Sequence, residues 1–219
     1  MLREACRQLS VWRAEHLSSA DIWVSINVSA KQFMQVDLVS LVSSILAETG
    51  LPPNMIKLEL TESAMAENLE HVVDVMLKLK AIGVRLSIDD FGTGYSSLSN
   101  LHKLPLDSLK IDRAFVNQMH DSGENDEIIR TIVALAKSLD LEIIAEGVET
   151  LEQLEALSLL QCQMGQGYYF SWPLEVSAAA NFLENGWTRP HNDSGPARSK
   201  KRKHLPALNA VQHPTTVIS

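Results

Sequence analysis

The sequence predicts an α/β fold of the TIM-like (β/α)8 barrel class, incomplete at its amino end. Three observations carry this. Short β-branched runs alternate with segments of 3.6-residue periodicity, as in a parallel sheet covered by helices. The runs are apolar on nearly all positions, as strands buried on both faces are. A polar residue closes each run at its carboxyl end, and in a barrel those ends share one rim, whereas an open sheet would spread them across its width.

Taken in order, an opening helix over 2–16 precedes a strand in DIWVSINVS (21–29). The helix VDLVSLVSSILAETG follows, then the strand MIKLELTE (55–62), the helix ENLEHVVDVMLKLKAIG and the strand VRLSIDD (84–90). Between Asp90 and Ser108 the link is mostly loop with a short helix. Next come the strand SLKID (108–112), the helix NDEIIRTIVALAKSLD, the strand LEIIAEG (141–147), the helix TLEQLEALSLLQ, the strand MGQGYYF (164–170) and the helix EVSAAANFLENG. Thr150 and Gln153 have capping-box spacing, and Gly50 and Gly83 stand where helices stop. Six strands fall short of the eight strands and roughly 250 residues of a closed barrel, so two strands are expected to be missing at the amino end.

Composition narrows the function. At 45% hydrophobic and 21% charged residues the chain is that of a globular protein, and it has neither an apolar run of membrane-spanning length nor a leader-like first segment, which predicts a cytoplasmic location. From Trp187 onward Arg189, Arg198, Lys200, Lys201, Arg202 and Lys203 face Asp193 alone, so the body is more acidic than the whole-chain net charge of −8. Such a body is a poor platform for nucleic-acid polymers, whose binding depends on Lys and Arg at phosphates. The segment 187–219 reads as a disordered basic tail, separate from a folded domain over 1–186. Cys6 and Cys162 lack zinc or disulfide spacing and the histidines form no ligand motif, so any metal must be held by oxygen.

Oxygen donors are plentiful at the strand ends. Asp89 and Asp90 are adjacent at the end of an apolar strand, a costly placement unless a cation neutralises them. With Glu59, Glu146 and the amide oxygen of Asn27 they form a hard ligand set suited to magnesium or manganese. Any one of these has a structural reading; Asp90 before Phe91-Gly92 can be a turn residue. Lys110 closes SLKID as either a salt-bridge partner for the carboxylates or a cation beside reacting phosphate oxygens. The loop FGTGYSSL (91–98) is glycine-marked, which alone says little.

The strings SINVSAKQF, LELTES, IDDFGTGYSSLSNLHKLPLDSLKID, IIAEGVET and QGYYFSWPL together resemble the successive motifs of the EAL-domain family, bacterial phosphodiesterases that open cyclic di-GMP to linear pGpG. The resemblance runs from the first helix to about Leu174. It implies a two-ion magnesium or manganese site, one ion held by Asn27, Glu59 and Asp89 and the other addressed by Asp89, Asp90 and Glu146. Lys110, Glu146 and Glu149 would form the catalytic set, Glu149 as a residue that orients its neighbours, although a purely structural place just outside the Thr150 cap is an equally good reading of it. Gln166 would support the site. Glu62 would anchor the 91–98 loop, through which the resemblance also implies a homodimer.

One departure is large. The family's Glu-Ala-Leu strand, whose glutamate completes the first metal's ligands, would precede Met1. The string Glu155-Ala156-Leu157 lies instead on the helix TLEQLEALSLLQ and is a decoy. Two functions therefore stand open: a cyclic di-GMP phosphodiesterase, or an impaired EAL-like domain that senses the dinucleotide or engages a protein.

Overall fold

The protein is described from a computed structural model, which defines residues 1–15, 22–34, 37–65, 68–94, 101–119 and 124–185. The basic tail and positions 95–98 of the glycine loop lie outside the described residues.

Helix α1 (Leu2–Glu15) leads into β1 (Val24–Asn27), a short α2 (Ala30–Phe33) and α3 (Leu38–Thr49). Strand β2 (Ile56–Thr61), α4 (Leu69–Ile82), β3 (Arg85–Phe91), β4 (Ser108–Ile111), α5 (Arg113–Asn117) and α6 (Glu124–Ser138) follow. The series closes with β5 (Glu142–Ala145), α7 (Leu151–Leu159), β6 (Met164–Gly165) and α8 (Val176–Asn185). The described strands form one sheet in the order β1-β2-β3-β4-β5-β6, every neighbouring pair parallel. Chain order and spatial order coincide, with no reversal of the kind that defines a doubly wound sheet. This is a partial (β/α) barrel, the class the sequence predicts.

Local chemistry explains the helix boundaries. Gly50 and Gly83 end α3 and α4 in the left-handed conformation that glycine adopts without penalty. Thr150 and Gln153 make both hydrogen bonds of a capping box at α7, and Ser29 with Gln32 repeats the device at α2. Asn68 caps α4 and Asp112 caps α5. The Glu155-Ala156-Leu157 string lies within α7, Glu155 exposed and Leu157 buried.

The strands differ from expectation in two respects. First, they alternate rather than being apolar throughout. Register places Asn27 beside Glu59, Glu59 beside Ser87, Ser87 beside Ser108 and Ser108 beside Glu142, all on one face. Ile26, Leu58, Leu86, Ile88, Leu109 and Ile143 occupy the opposite face, are fully buried and join the apolar core shared with the helices. The interior of this sheet is thus polar and its helix-facing side carries the hydrophobic burial. Second, the run over 164–170 pairs only through Met164 and Gly165. Beyond it the backbone folds onto Val148, whose N–H donates to the Gln166 carbonyl while its carbonyl accepts from Tyr169. Gly167 makes this approach possible: a Cβ there would lie 2.2 Å from the Val148 carbonyl oxygen.

Both cysteines are free and buried, burial pushing Cys6 up to about 11 and Cys162 up to about 12. Among the described residues no helix is long and apolar enough to cross a membrane.

Candidate functional site

The carboxyl ends of β1 to β6 bring Asn27, Glu59, Asp89, Asp90, Lys110, Glu146 and Gln166 to one side of the sheet. At the centre stands Lys110, only 2% exposed. Its ammonium lies 2.6 Å from Glu59 Oε2, 3.1 Å from Asp89 Oδ1 and 2.5 Å from Glu146 Oε1. Three donors meet three carboxylates, two on β2 and β3 and one just past the end of β5. Burial alone would lower the Lys110 pKa, but the charges of Glu59, Glu146 and Asp89 outweigh it and hold the group well above the usual lysine range.

The pair Asp89-Asp90 shows how two adjacent strand residues can serve one site. Successive side chains of a strand point to opposite faces, so a regular β3 would send Asp90 toward the helices. Instead the β3–β4 register shifts between Ile88 and Phe91, and Asp90 has φ 53°, a left-handed conformation that aspartate tolerates better than most residues. Oxygen atoms of Asp89, Asp90 and Glu146 then lie within 4.8 Å of one another.

Crowding of like charge out of water raises the acids that bear it. Burial, opposed by Lys110 and reinforced by Asp89, pushes Glu146 up to about 7. Burial, then the charge of Asp89 and a hydrogen bond and charge from Asp112, pushes Asp90 up to about 6. Asp112 is a site neighbour that sequence reasoning missed. It stands at the end of the predicted strand SLKID and caps α5, its Oδ1 accepting from the Ala114 N–H at 2.7 Å.

The donor set suits a divalent cation. All donors are oxygen, and Glu59 Oε1 is buried without a hydrogen-bond partner although Oε2 of the same carboxylate is held by Lys110. Such an orphaned anionic oxygen is costly unless something cationic meets it. Gln166 Oε1 is likewise buried and unpartnered. Asn27, exposed, flanks Glu59 in register at the β1 edge.

Glu62 and Glu149 lie outside this centre. Glu62, 4% exposed, follows β2, and its Oε2 accepts from the Gly92 N–H at 3.0 Å and the Gly94 N–H at 3.2 Å. The described half of the glycine loop is thereby tied to β2. Glu149 is exposed, and its N–H donates to Gln153 Oε1 at 2.7 Å, tying its backbone to the start of α7.

An all-parallel barrel-type sheet whose strand ends converge on an oxygen-rich, lysine-centred rim defines the class: a (β/α)-barrel domain with a candidate cation site at its carboxyl face. The chain belongs to the EAL domain family, whose model matches residues 1–173. The cyclic di-GMP phosphodiesterase NbdA of Pseudomonas aeruginosa is 42% identical over 184 residues, which are 84% of this chain and 23% of that protein. The chain thus spans about a quarter of the length of that curated relative. The structure of the Pseudomonas aeruginosa phosphodiesterase MucR in complex with c-di-GMP superposes with a TM-score of 0.78 at 41% identity, covering 81% of this chain and 71% of that one. Klebsiella pneumoniae BlrP1, solved at pH 6 with manganese and cyclic di-GMP, gives 0.70 at 29% identity, covering 78% and 42%.

Proposed function

We propose that residues 1–186 form a metal-dependent phosphodiesterase unit that hydrolyses cyclic di-GMP to linear pGpG, with two magnesium or manganese ions. The observation that carries this reading is the convergence of Glu59, Asp89, Asp90 and Glu146 around Lys110, in a chain similar over four fifths of its length to MucR, solved with c-di-GMP.

Asn27, Glu59 and Asp89 would hold one ion, and Asp89, Asp90 and Glu146 the other. When bound, the ions supply an activated water and neutralise charge on the phosphate. The chain's own residues do the rest. Lys110 keeps its proton throughout the working range and stands among Glu59, Asp89 and Glu146, where it offsets negative charge that builds beside them. In the metal-free site burial holds the Glu146 carboxyl at about 7, so Glu146 must give up its proton before it can hold an ion. Glu62 holds Gly92 and Gly94, and so fixes the backbone that follows Asp90. Gln166 and Glu149 would support the rim, and the 91–98 loop would serve a homodimer contact.

A second reading, binding without turnover, is favoured by one observation. Among the described residues β1 and β6 pair with only one neighbour each, and no described strand lies between Asn27 and Gln166 at the rim. One experiment separates the two. The purified chain is incubated with manganese and cyclic di-GMP beside Asp89→Asn, pGpG is quantified by chromatography, and manganese and dinucleotide binding are measured by calorimetry. The proposal expects pGpG from the parent chain and loss of most metal binding and turnover in the variant. Dinucleotide binding without pGpG from either chain establishes the second reading, and equal metal affinity in both refutes the site.

A further inference from the structure

Two residues before Glu59, on the same face of β2, stands Lys57, fully buried. Its ammonium lies 3.2 Å from Glu142 Oε2 on β5 and 5.1 Å from the centroid of the Trp23 ring. The Arg85 guanidinium faces the same ring at 5.5 Å. Since β3 and β4 lie between β2 and β5, the Lys57–Glu142 pair crosses the concave interior of the sheet. The same two strands are joined again at the rim, where Glu59 and Glu146 both hold Lys110. The lower bridge lies on the side away from the carboxyl ends.

A pair made of a buried ammonium and a half-exposed carboxylate is weak as a device for stability, because solvent screens the acid while the cation still bears the cost of burial. Geometry offers a better account. A divalent cation among Glu59, Asp89 and Glu146 would draw on the same carboxylates that Lys110 holds, so the upper bridge cannot set their spacing independently of the ion. The lower bridge uses none of those oxygens.

We propose that Lys57 is a positioning residue: paired with Glu142 across the sheet interior, it fixes the separation of β2 and β5, and with it the spacing at which Glu59 and Glu146 meet a cation. The inference rests on the reading of the rim as a cation site.

The test uses the full chain, Lys57→Met and Glu142→Gln, with manganese titrated by calorimetry and each protein's thermal melt recorded without metal. Methionine keeps the length of the side chain and removes the charge. The expected result is a melting temperature within a few degrees of the parent and manganese affinity about tenfold weaker, the loss typical when a group supporting a metal ligand is removed. Glu142→Gln, at a side chain that is 47% exposed, leaves the core packing in place and is expected to weaken affinity in the same direction. It carries the test if Lys57→Met fails to fold. Parent-like affinity in a folded Glu142→Gln or Lys57→Met overturns the inference while leaving the cation site standing. Absence of manganese binding by the parent chain overturns both.

Discussion

Lys110 Nζ and Glu59 Oε2 lie 2.6 Å apart with both side chains almost wholly buried, joining β4 to β2 across the site. The same ammonium reaches Asp89 and Glu146, so a single cation faces three acids. Removal of that cation defines the first prediction.

Lys110→Met should destabilise the metal-free protein at pH 8 by about 3 kcal/mol, the usual cost of stripping one partner from a buried pair. For a chain of this size that lowers the melting temperature by on the order of 10 °C. At pH 5 the loss should shrink, because the abandoned carboxylates can take up protons. Melts at the two pH values check this, and an equal loss at both would contradict it.

The raised acids give the metal-free protein a definite slope with pH. Glu146 at about 7 and Asp90 at about 6 sit above their ordinary 4.5 and 3.8. For acids raised on folding, the contribution to stability is full below the unfolded values and is lost as pH rises through the folded ones. The melting temperature without metal should therefore fall between pH 5 and 8, and Glu146→Gln should flatten most of that fall. Manganese affinity should rise over the same interval, since the ion needs the carboxylates deprotonated. A melting curve that rises with pH, or an affinity that does not, would remove the basis for these shifts.

Glu62→Ala should release the Gly92 and Gly94 amides from their shared acceptor. Hydrogen bonds to a charged group are worth about 1.5 to 3 kcal/mol, so stability should drop by about 2 kcal/mol. Amide exchange should quicken first at Gly92 and Gly94, as hydrogen exchange followed by NMR would reveal. Glu62→Gln, which keeps one acceptor oxygen, should lose less.

Much of the architecture is legible in the chain. The periodic runs place β2 at 56–61 against an expected 55–62, and β-branched residues and glycine stops bound the helices closely. What escapes the sequence is decided by contacts distant in the chain. MGQGYYF has the composition of a strand, yet Gly167 lets it collapse onto Val148 after two paired residues. The site was legible where an acid ended a strand, as with Glu59, Asp89 and Glu146. Asp112 was hidden because a capping aspartate looks the same whether or not Asp90 lies beside it. Lys57 was hidden because a lysine two positions before an acid reads as ordinary strand alternation until Glu142 appears opposite it. The shared orientation of Asp89 and Asp90 needs the left-handed turn at Asp90, which no local pattern announces.

The alternation of the strands has a consequence for how this domain tolerates change. Odd-numbered positions of β2 supply the ionic groups Lys57 and Glu59, while Ile56, Leu58 and Leu60 supply the packing. Chemistry and cohesion are thus written in interleaved letters, and a saturation mutagenesis profile along this strand should oscillate, with activity lost at one parity and abundance at the other. A one-residue deletion inside β2 would break both codes together, turning leucine toward the ions and glutamate toward the helices.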